Sequence, residues 1–354
     1  MDTETLYEEL ARHLDQGIVG APTSPALLEI LKVLFPVEDA HIAIKLPLQN
    51  KTLSELKEFI PEKADSLEEL LNRMAKRGTV YTSRKPGQER KYRLLPSVVG
   101  WAETPFWSGK QTADTRKLGP LWIKYRSEAF GKELTRGDMP VMRVVPESGT
   151  LQDNREVLPF DALKPKIEAA SYRAVGHCPC RLMKRTIGEG CEYSLENCLH
   201  FGSMGRYMVD HGMAREITSE ETFKILNEAS QEGLVHIIDN VEGYMSTICN
   251  CCGCCCVFLD TKKKMGLDTI SSSNYVANVD SQRCAACGTC AERCPMVAIT
   301  VKDGGHAEVN EAVCIGCGVC KPACSAGAVA LVQRQTVTSP PELTDFLTAR
   351  YKGA

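Results

Sequence analysis

The chain has 354 residues, 43% of them hydrophobic and 25% charged, with a net charge of −3 at pH 7. That length and composition suit two or three globular domains with cores of their own. The near balance of charge argues against a protein mainly concerned with binding nucleic acid or anionic membrane.

Eighteen cysteines is the outlying number. A disulfide framework would require a secretory signal and an oxidising compartment. The N-terminus, "MDTETLYEELARHLDQG", is acidic and amphipathic with no apolar signal core. No uninterrupted apolar run approaches the roughly 18 to 20 residues of a spanning helix. The expectation is therefore a cytoplasmic protein whose reduced thiols bind metal, in an anaerobic or low-oxygen setting.

In chain order, the predicted elements begin with helices. "SPALLEILKVLF" places Leu27, Leu28, Leu31 and Leu34 at helical spacing. "TLSELKEFI" pairs Thr52 with Glu55 as a capping box, and "SLEELLNRMAKRGTV" pairs Ser66 with Glu69 and ends at Gly78. "VYTSRKPGQERKYRLL" alternates around Pro86-Gly87 and predicts a β-hairpin. Helices followed by a hairpin resemble a winged helix-turn-helix domain over residues 1–96, with the pattern itself in 22–96. Asn72, Arg73, Lys76 and Arg77 would lie on its recognition helix, and Arg84, Lys85, Arg90, Lys91 and Arg93 on its wing. Yet residues 1–100 hold 14 Lys+Arg against 15 Asp+Glu. DNA affinity rests on phosphate neutralisation, so docking of a protein is favoured over DNA binding, which stays open.

Residues 97–170 read as a connecting region. Trp101, Pro105, Trp107 and Pro120 suggest ordered loops, and "MPVMRVVPES" and "REVLPF" short strands. Residues 171–274 form a cysteine-rich zone expected to be mainly helical. It contains Cys178, Cys180, Cys191 and Cys198, then "CNCCGCCC" with Cys249, Cys251, Cys252, Cys254, Cys255 and Cys256. Between the two groups, "TSEETFKILNEASQEGLVH" is a helix starting at Thr218 and Glu221 and breaking at Gly233. Ten thiols here allow one or two [4Fe–4S] clusters, or zinc. In an extended segment alternate side chains face opposite ways. The loop is therefore expected to lie between two metal sites, with Cys249 and Cys251 opposed to Cys252, and Cys254 and Cys256 opposed to Cys255. His177 and His200 are candidate ligands or ligand-orienting groups, with His211 and His236 in the same zone. Arg173, Arg181, Lys184 and Arg185 are candidates for balancing thiolate charge.

Residues 275–333 repeat with a period of thirty. "CAACGTCAERCP" and "CIGCGVCKPACS" share the spacing C-x2-C-x2-C-x3-C, and each precedes an apolar strand, "MVAITV" and "GAVALV". A cubane needs four thiolates converging from different directions, and one tight loop supplies three. This segment resembles the bacterial two-cluster ferredoxin. The resemblance implies two [4Fe–4S] clusters, one held by Cys284, Cys287, Cys290 and Cys324, the other by Cys314, Cys317, Cys320 and Cys294. Ser325 departs from that pattern, where proline is usual, at a turn and not at a ligand. The phrases "HCPCR", "ENCLHFG" and "CNCCGCCC" resemble a group of bacterial 4Fe–4S binding proteins of no defined activity. Residues 334–354 read as a tail.

The fold expected is thus α+β and multidomain: a winged helix, a cysteine-rich mainly helical middle domain and a ferredoxin-like module. No phosphate-binding loop, dinucleotide fingerprint, H-E-x-x-H or G-x-S-x-G is present. The expected function is an electron-transfer protein serving a partner oxidoreductase. A redox-responsive DNA-binding regulator and an iron–sulfur reductase with its own substrate are the alternatives.

Overall fold

A computed structural model describes residues 1–84, 87–147, 149–151, 162–302 and 305–351. Helix α1 (Thr3–Leu14) starts where the Asp2 carboxylate accepts the backbone N–H groups of Glu4 and Thr5. Ser24 caps α2 (Pro25–Leu34), and α3 (Val37–Ala43) follows. Strand β1 (Lys51–Thr52) leads into α4 (Leu53–Phe59), where Thr52 and Glu55 form the expected reciprocal box. Helix α5 (Leu67–Arg77) ends at the left-handed Gly78, as its sequence predicts. Its start differs. Ser66 follows a 3-10 turn at Pro61–Lys63 and its hydroxyl donates back to the Lys63 carbonyl, so it does not cap. Strands β2 (Val80–Ser83) and β3 (Lys91–Leu94) pair antiparallel as the predicted hairpin, and the sheet order is β1-β3-β2. Pro86 of the predicted turn lies outside the described residues.

Residues 97–147 are more than a connector. Helix α6 (Ala113–Tyr125) is capped reciprocally by Thr112 and Thr115 and runs through Pro120, which was expected in a loop. Proline removes one helical N–H and crowds the preceding turn. Burial of Leu118, Trp122 and Tyr125 holds the helix regardless. A side chain at Gly119 would run into Thr186, so glycine lets α6 cross the later helix Pro179–Thr186 closely. After the short α7 (Gly131–Glu133), strand β4 (Met142–Val144) joins the sheet of the middle domain. The strand expected at "REVLPF" lies outside the described residues. Helix α8 (Leu163–Ala169) follows.

The middle domain has the expected helices, but they pack on a sheet that the mainly helical expectation lacked. Its elements are β5 (Arg173–His177), α9 (Pro179–Thr186), β6 (Glu196–Phe201), α10 (Gly202–Asp210), β7 (Arg215–Glu216), α11 (Ser219–Glu232), β8 (Val235–Asp239), β9 (Thr247–Cys251) and α12 (Val257–Met265). With β4 they form a six-stranded antiparallel sheet in the order β4-β8-β9-β6-β5-β7. The strands were hidden because cysteine occupies core positions as a small hydrophobe. In β6, Leu199 and Phe201 pack with Ile248 of β9 and with Ile225 and Leu226 of α11. Cys198 and His200 alternate with them, as Cys249 and Cys251 do with Ile248, and so occupy the opposite face. One face of the sheet is a hydrocarbon core. The other carries thiols.

Beyond it lie β10 (Tyr275–Val279), α13 (Thr289–Arg293), β11 (Ile299–Val301), β12 (Ala307–Val309) and β13 (Val329–Gln333). The pairs are β10 with β13 and β11 with β12, both antiparallel, and both predicted strands are found. The stretch expected as a tail contains α14 (Leu343–Arg350). The guanidinium of Arg350 is fully buried and donates to the carbonyls of Ile18, Glu133, Arg136 and Met139. Among the described residues, no helix is long and apolar enough to cross a membrane.

Candidate metal centres

The eight C-terminal cysteines fall in two segments whose left-handed positions coincide. Positions 286 and 316, 288 and 318, and 297 and 327 are left-handed in both halves. After the fourth cysteine of each half, a backbone N–H points at its sulfur: Ala298 to Cys294 and Ala328 to Cys324, each at 3.2 Å. Ala307 donates to Cys284 at 3.4 Å. Such N–H···S bonds favour the thiolate form that a cluster requires. Cys290 feels the charges of Cys284 and Cys324, while Cys317 feels those of Cys314, Cys320 and Cys294. Each neighbourhood thus mixes the two halves: Cys284 and Cys290 with Cys324, and Cys314, Cys317 and Cys320 with Cys294. Burial differs between them. Cys287 is exposed, whereas Cys317 and Cys320 are buried, and burial pushes the Cys320 thiol up to about 12.

The ten middle-domain cysteines divide into two groups. Cys191, Cys252, Cys254 and Cys255 have sulfurs all within 4.8 Å of one another; among the described residues no other group of cysteine, histidine or carboxylate residues is so tight. Cys178, Cys180, Cys198, Cys249, Cys251 and Cys256 line a separate buried cavity. The loop therefore contributes to two thiol groups, with Cys249 and Cys251, on alternate positions of β9, in the cavity and Cys252, just beyond β9, in the tight group. The expectation for the last three cysteines is corrected. Cys254 and Cys255 go to the tight group and Cys256 to the cavity. Residues 253–255 form a turn, so the alternation of an extended strand does not apply.

Elements that meet at the sheet's thiol face build the cavity. Cys178 precedes α9 with Cys180 in its first turn, Cys198 lies on β6, Cys249 and Cys251 on β9, and Cys256 precedes α12. Their thiols pair by hydrogen bonds: Cys178 with Cys180, Cys198 with Cys249, Cys249 with Cys251 and Cys251 with Cys256. Protons are shared unequally along these contacts. The bond from Cys180 and the Arg181 charge bring Cys178 down to about 7, and bonds from Cys198 and Cys251 hold Cys249 low. Their partners Cys180, Cys198 and Cys251 are pushed up. The tight group behaves likewise: a bond from Cys255 lowers Cys252 to about 4, while burial raises Cys254 to about 12. Thiols this close cannot all ionise without a cation between them. The donor sets fit soft metal centres.

Arg181 balances both groups. It is fully buried, and its positive charge acts on Cys178, Cys251 and Cys252. It donates to the Ser194 and Asn250 carbonyls and to Asn197 Oδ1 at 3.0 Å. The other candidate cations do different work. Arg173 donates to the Ile167 and Glu168 carbonyls, Lys184 pairs with Glu189, and Arg185 holds the Cys191 carbonyl at 2.7 Å. Of the histidines, only His200 enters the cavity. Burial lowers it to about 4, so its ring is neutral. Nε2 lies 3.2 Å from Cys198 Sγ and Nδ1 lies 3.3 Å from Thr247 Oγ1, which fits an imidazole that orients a ligand. His177 bonds the Trp107 carbonyl, and His211 reaches Thr82. His236 contacts Asn250, Ser230 and Glu147, whose backbone N–H donates to the Cys317 carbonyl at 2.9 Å.

Two wall residues carried no sequence signal. Glu103 is buried beside the cavity and desolvation pushes it up to about 8. Trp107 packs edge-on against His200 with ring centres 5.0 Å apart. Neither sits in a motif.

The family model described as a 4Fe-4S binding domain matches residues 277–300, which contain Cys284, Cys287, Cys290 and Cys294. The chain binds iron–sulfur. No curated protein and no solved structure matches it.

Proposed function

We propose that this chain is an electron-transfer protein, with two [4Fe–4S] clusters in the C-terminal module and a further cluster in the six-cysteine cavity. Bound clusters supply one-electron chemistry. The chain's own part is to hold them, exclude water and tune them by burial and N–H···S bonds. In this reading Cys284, Cys287, Cys290 and Cys324 hold the outer cluster, and Cys314, Cys317, Cys320 and Cys294 the inner one.

The observation that carries the reading is a gradient of exposure. Cys287 faces solvent, where a redox partner protein can approach. Cys317 is buried in the same apolar core that contains Cys251 and Cys256 of the cavity. Electrons would enter or leave at the outer cluster and pass inward.

The N-terminal region reads as a winged helix used for docking. Arg73 pairs with Glu38 and Asp39, and Arg77 with Asp39, so these recognition-helix charges are already engaged. Tyr207 of α10 donates to the Ala75 carbonyl and packs on Tyr81, which occupies the adjoining face from within the chain. Both observations disfavour the DNA-binding regulator.

A reductase is the second reading. Six cysteines line a cavity where one cubane takes four, and Glu103 stands beside it as a proton-holding group. Anaerobic reductive titration followed by electron paramagnetic resonance tests both. Reversible one-electron signals that a partner oxidoreductase reoxidises support electron transfer. Perturbation of one cluster signal by a small molecule, with turnover, would favour the reductase. Absence of reducible clusters would overturn both.

A further inference from the structure

We propose that Cys191, Cys252, Cys254 and Cys255 bind a single tetrahedral ion of the zinc class, in place of a second middle-domain cubane, and that this closed site clasps the cysteine loop onto the ferredoxin-like module. The assignment is independent of electron transfer through the other clusters.

Sulfur spacing carries it. Four thiolates around one ion at about 2.3 Å stand about 3.8 Å apart along each edge of the tetrahedron. Here Cys191 Sγ lies 3.7 Å from Cys252 Sγ and 3.6 Å from Cys255 Sγ, and Cys254 Sγ lies 3.7 Å from Cys255 Sγ. A cubane interposes four irons and four sulfides between its thiolates, so its four ligands cannot all lie this close together. Among the described residues, neither the C-terminal cysteines nor those of the cavity form a group whose sulfurs are all within 4.8 Å of one another. Cys252 and Cys255 have the C-x2-C spacing of zinc knuckles, and four protein ligands leave no open position, as in structural zinc sites.

The surroundings explain a clasp. Arg185 donates to the Cys191 carbonyl at 2.7 and 3.1 Å, and Lys263 Nζ to the Gly253 carbonyl at 2.6 Å, so both ligand segments are tethered. Gly253 lies between two ligands, and a side chain there would run into the Pro295 carbonyl. Pro295 directly follows Cys294. The ion would therefore fix the surface on which the ferredoxin-like module rests.

The test is zinc-edge X-ray absorption together with zinc and iron counts on the full chain, purified without oxygen from iron-supplemented cells. The expected result is one zinc per chain with sulfur neighbours only, at about 2.3 Å, beside iron counted separately. Cys254→Ser, at an exposed ligand, should lower zinc retention against a chelator at least tenfold and leave iron and sulfide unchanged. Loss of about four irons and four sulfides in that variant, or a single iron in place of zinc, would overturn the proposal. The wild-type spectrum decides even if the variant fails to fold. Clusters that fail to reduce would sink the electron-transfer reading and leave the zinc result standing.

Discussion

The ferredoxin-like module and the middle domain each gather eight or more cysteines, yet they gather them by different routes. In the module, six of the eight sulfurs come from two short loops of one spacing, repeated thirty residues on. In the middle domain they come from the N-terminal turn of α9, an isolated loop, strands β6 and β9 and a tight turn. The module illustrates local encoding, in which spacing along the chain is nearly spacing in space. The middle domain illustrates encoding by a sheet face, in which neighbours in space lie some fifty residues apart in sequence, as Cys198 and Cys249 do.

The comparison can be broken most severely at Cys320. Cys320→Ser removes a buried sulfur from a repeated loop. It should cost the chain about four irons and four sulfides and leave zinc in place, read by metal analysis. Next comes Arg181→Met. It strips a buried cation from between the two middle groups and leaves the Ser194 and Asn250 carbonyls without their donor. Removing one partner of a buried charge network costs about 3 to 5 kcal/mol. Anaerobic denaturant unfolding should show a loss of that order, with Arg181→Lys recovering part of it.

A smaller effect concerns pH. Burial holds Glu103 at about 8, against an ordinary 4.5. Between these values the folded state binds a proton that the unfolded state has released. Stability contributed by this group is full below about 4.5 and falls as pH rises towards about 8. Glu103→Gln should flatten that slope between about pH 5 and about pH 8, measured by denaturant midpoints. The smallest change sharpens the symmetry of the module. Val297 is left-handed at φ 57° and 66% exposed, where the other half has Gly327 at φ 60°. Val297→Gly should raise stability by about 1 kcal/mol, since a left-handed side chain costs about 1 to 2 kcal/mol. A higher melting temperature with unchanged iron would show it.

Legibility followed the same division. The ferredoxin-like loops, their strands and the hairpin of β2 and β3 were readable because their signals are periodic and short-range. The middle sheet was not. "TICNC" and "ENCLHF" alternate as strands do, but cysteine was read as ligand and not as core. The grouping of Cys254 with Cys255 depended on a turn that spacing does not reveal. Glu103, Trp107 and the central place of Arg181 depend on tertiary contacts with partners such as Asn250, 69 residues away. Pro120 misled because propensity alone stops a helix there, whereas packing against α9 and α2 continues it.

The stitching on both sides of the ferredoxin-like module has a mechanical consequence. Before it, Asn274 accepts the Thr338 N–H at 2.7 Å. After it, Arg334 donates to the Cys314 carbonyl at 2.6 Å, and Arg350 anchors α14 to the Ile18 carbonyl near the start of the chain. A relay module tethered at one end can swing between donor and acceptor, with domain rotation setting its pace. This one is held at both ends, like a bridge deck between two piers. In the proposed electron-transfer reading, its clusters would keep fixed separations from the cavity, and the slow step would be the arrival and departure of the partner at the Cys287 surface.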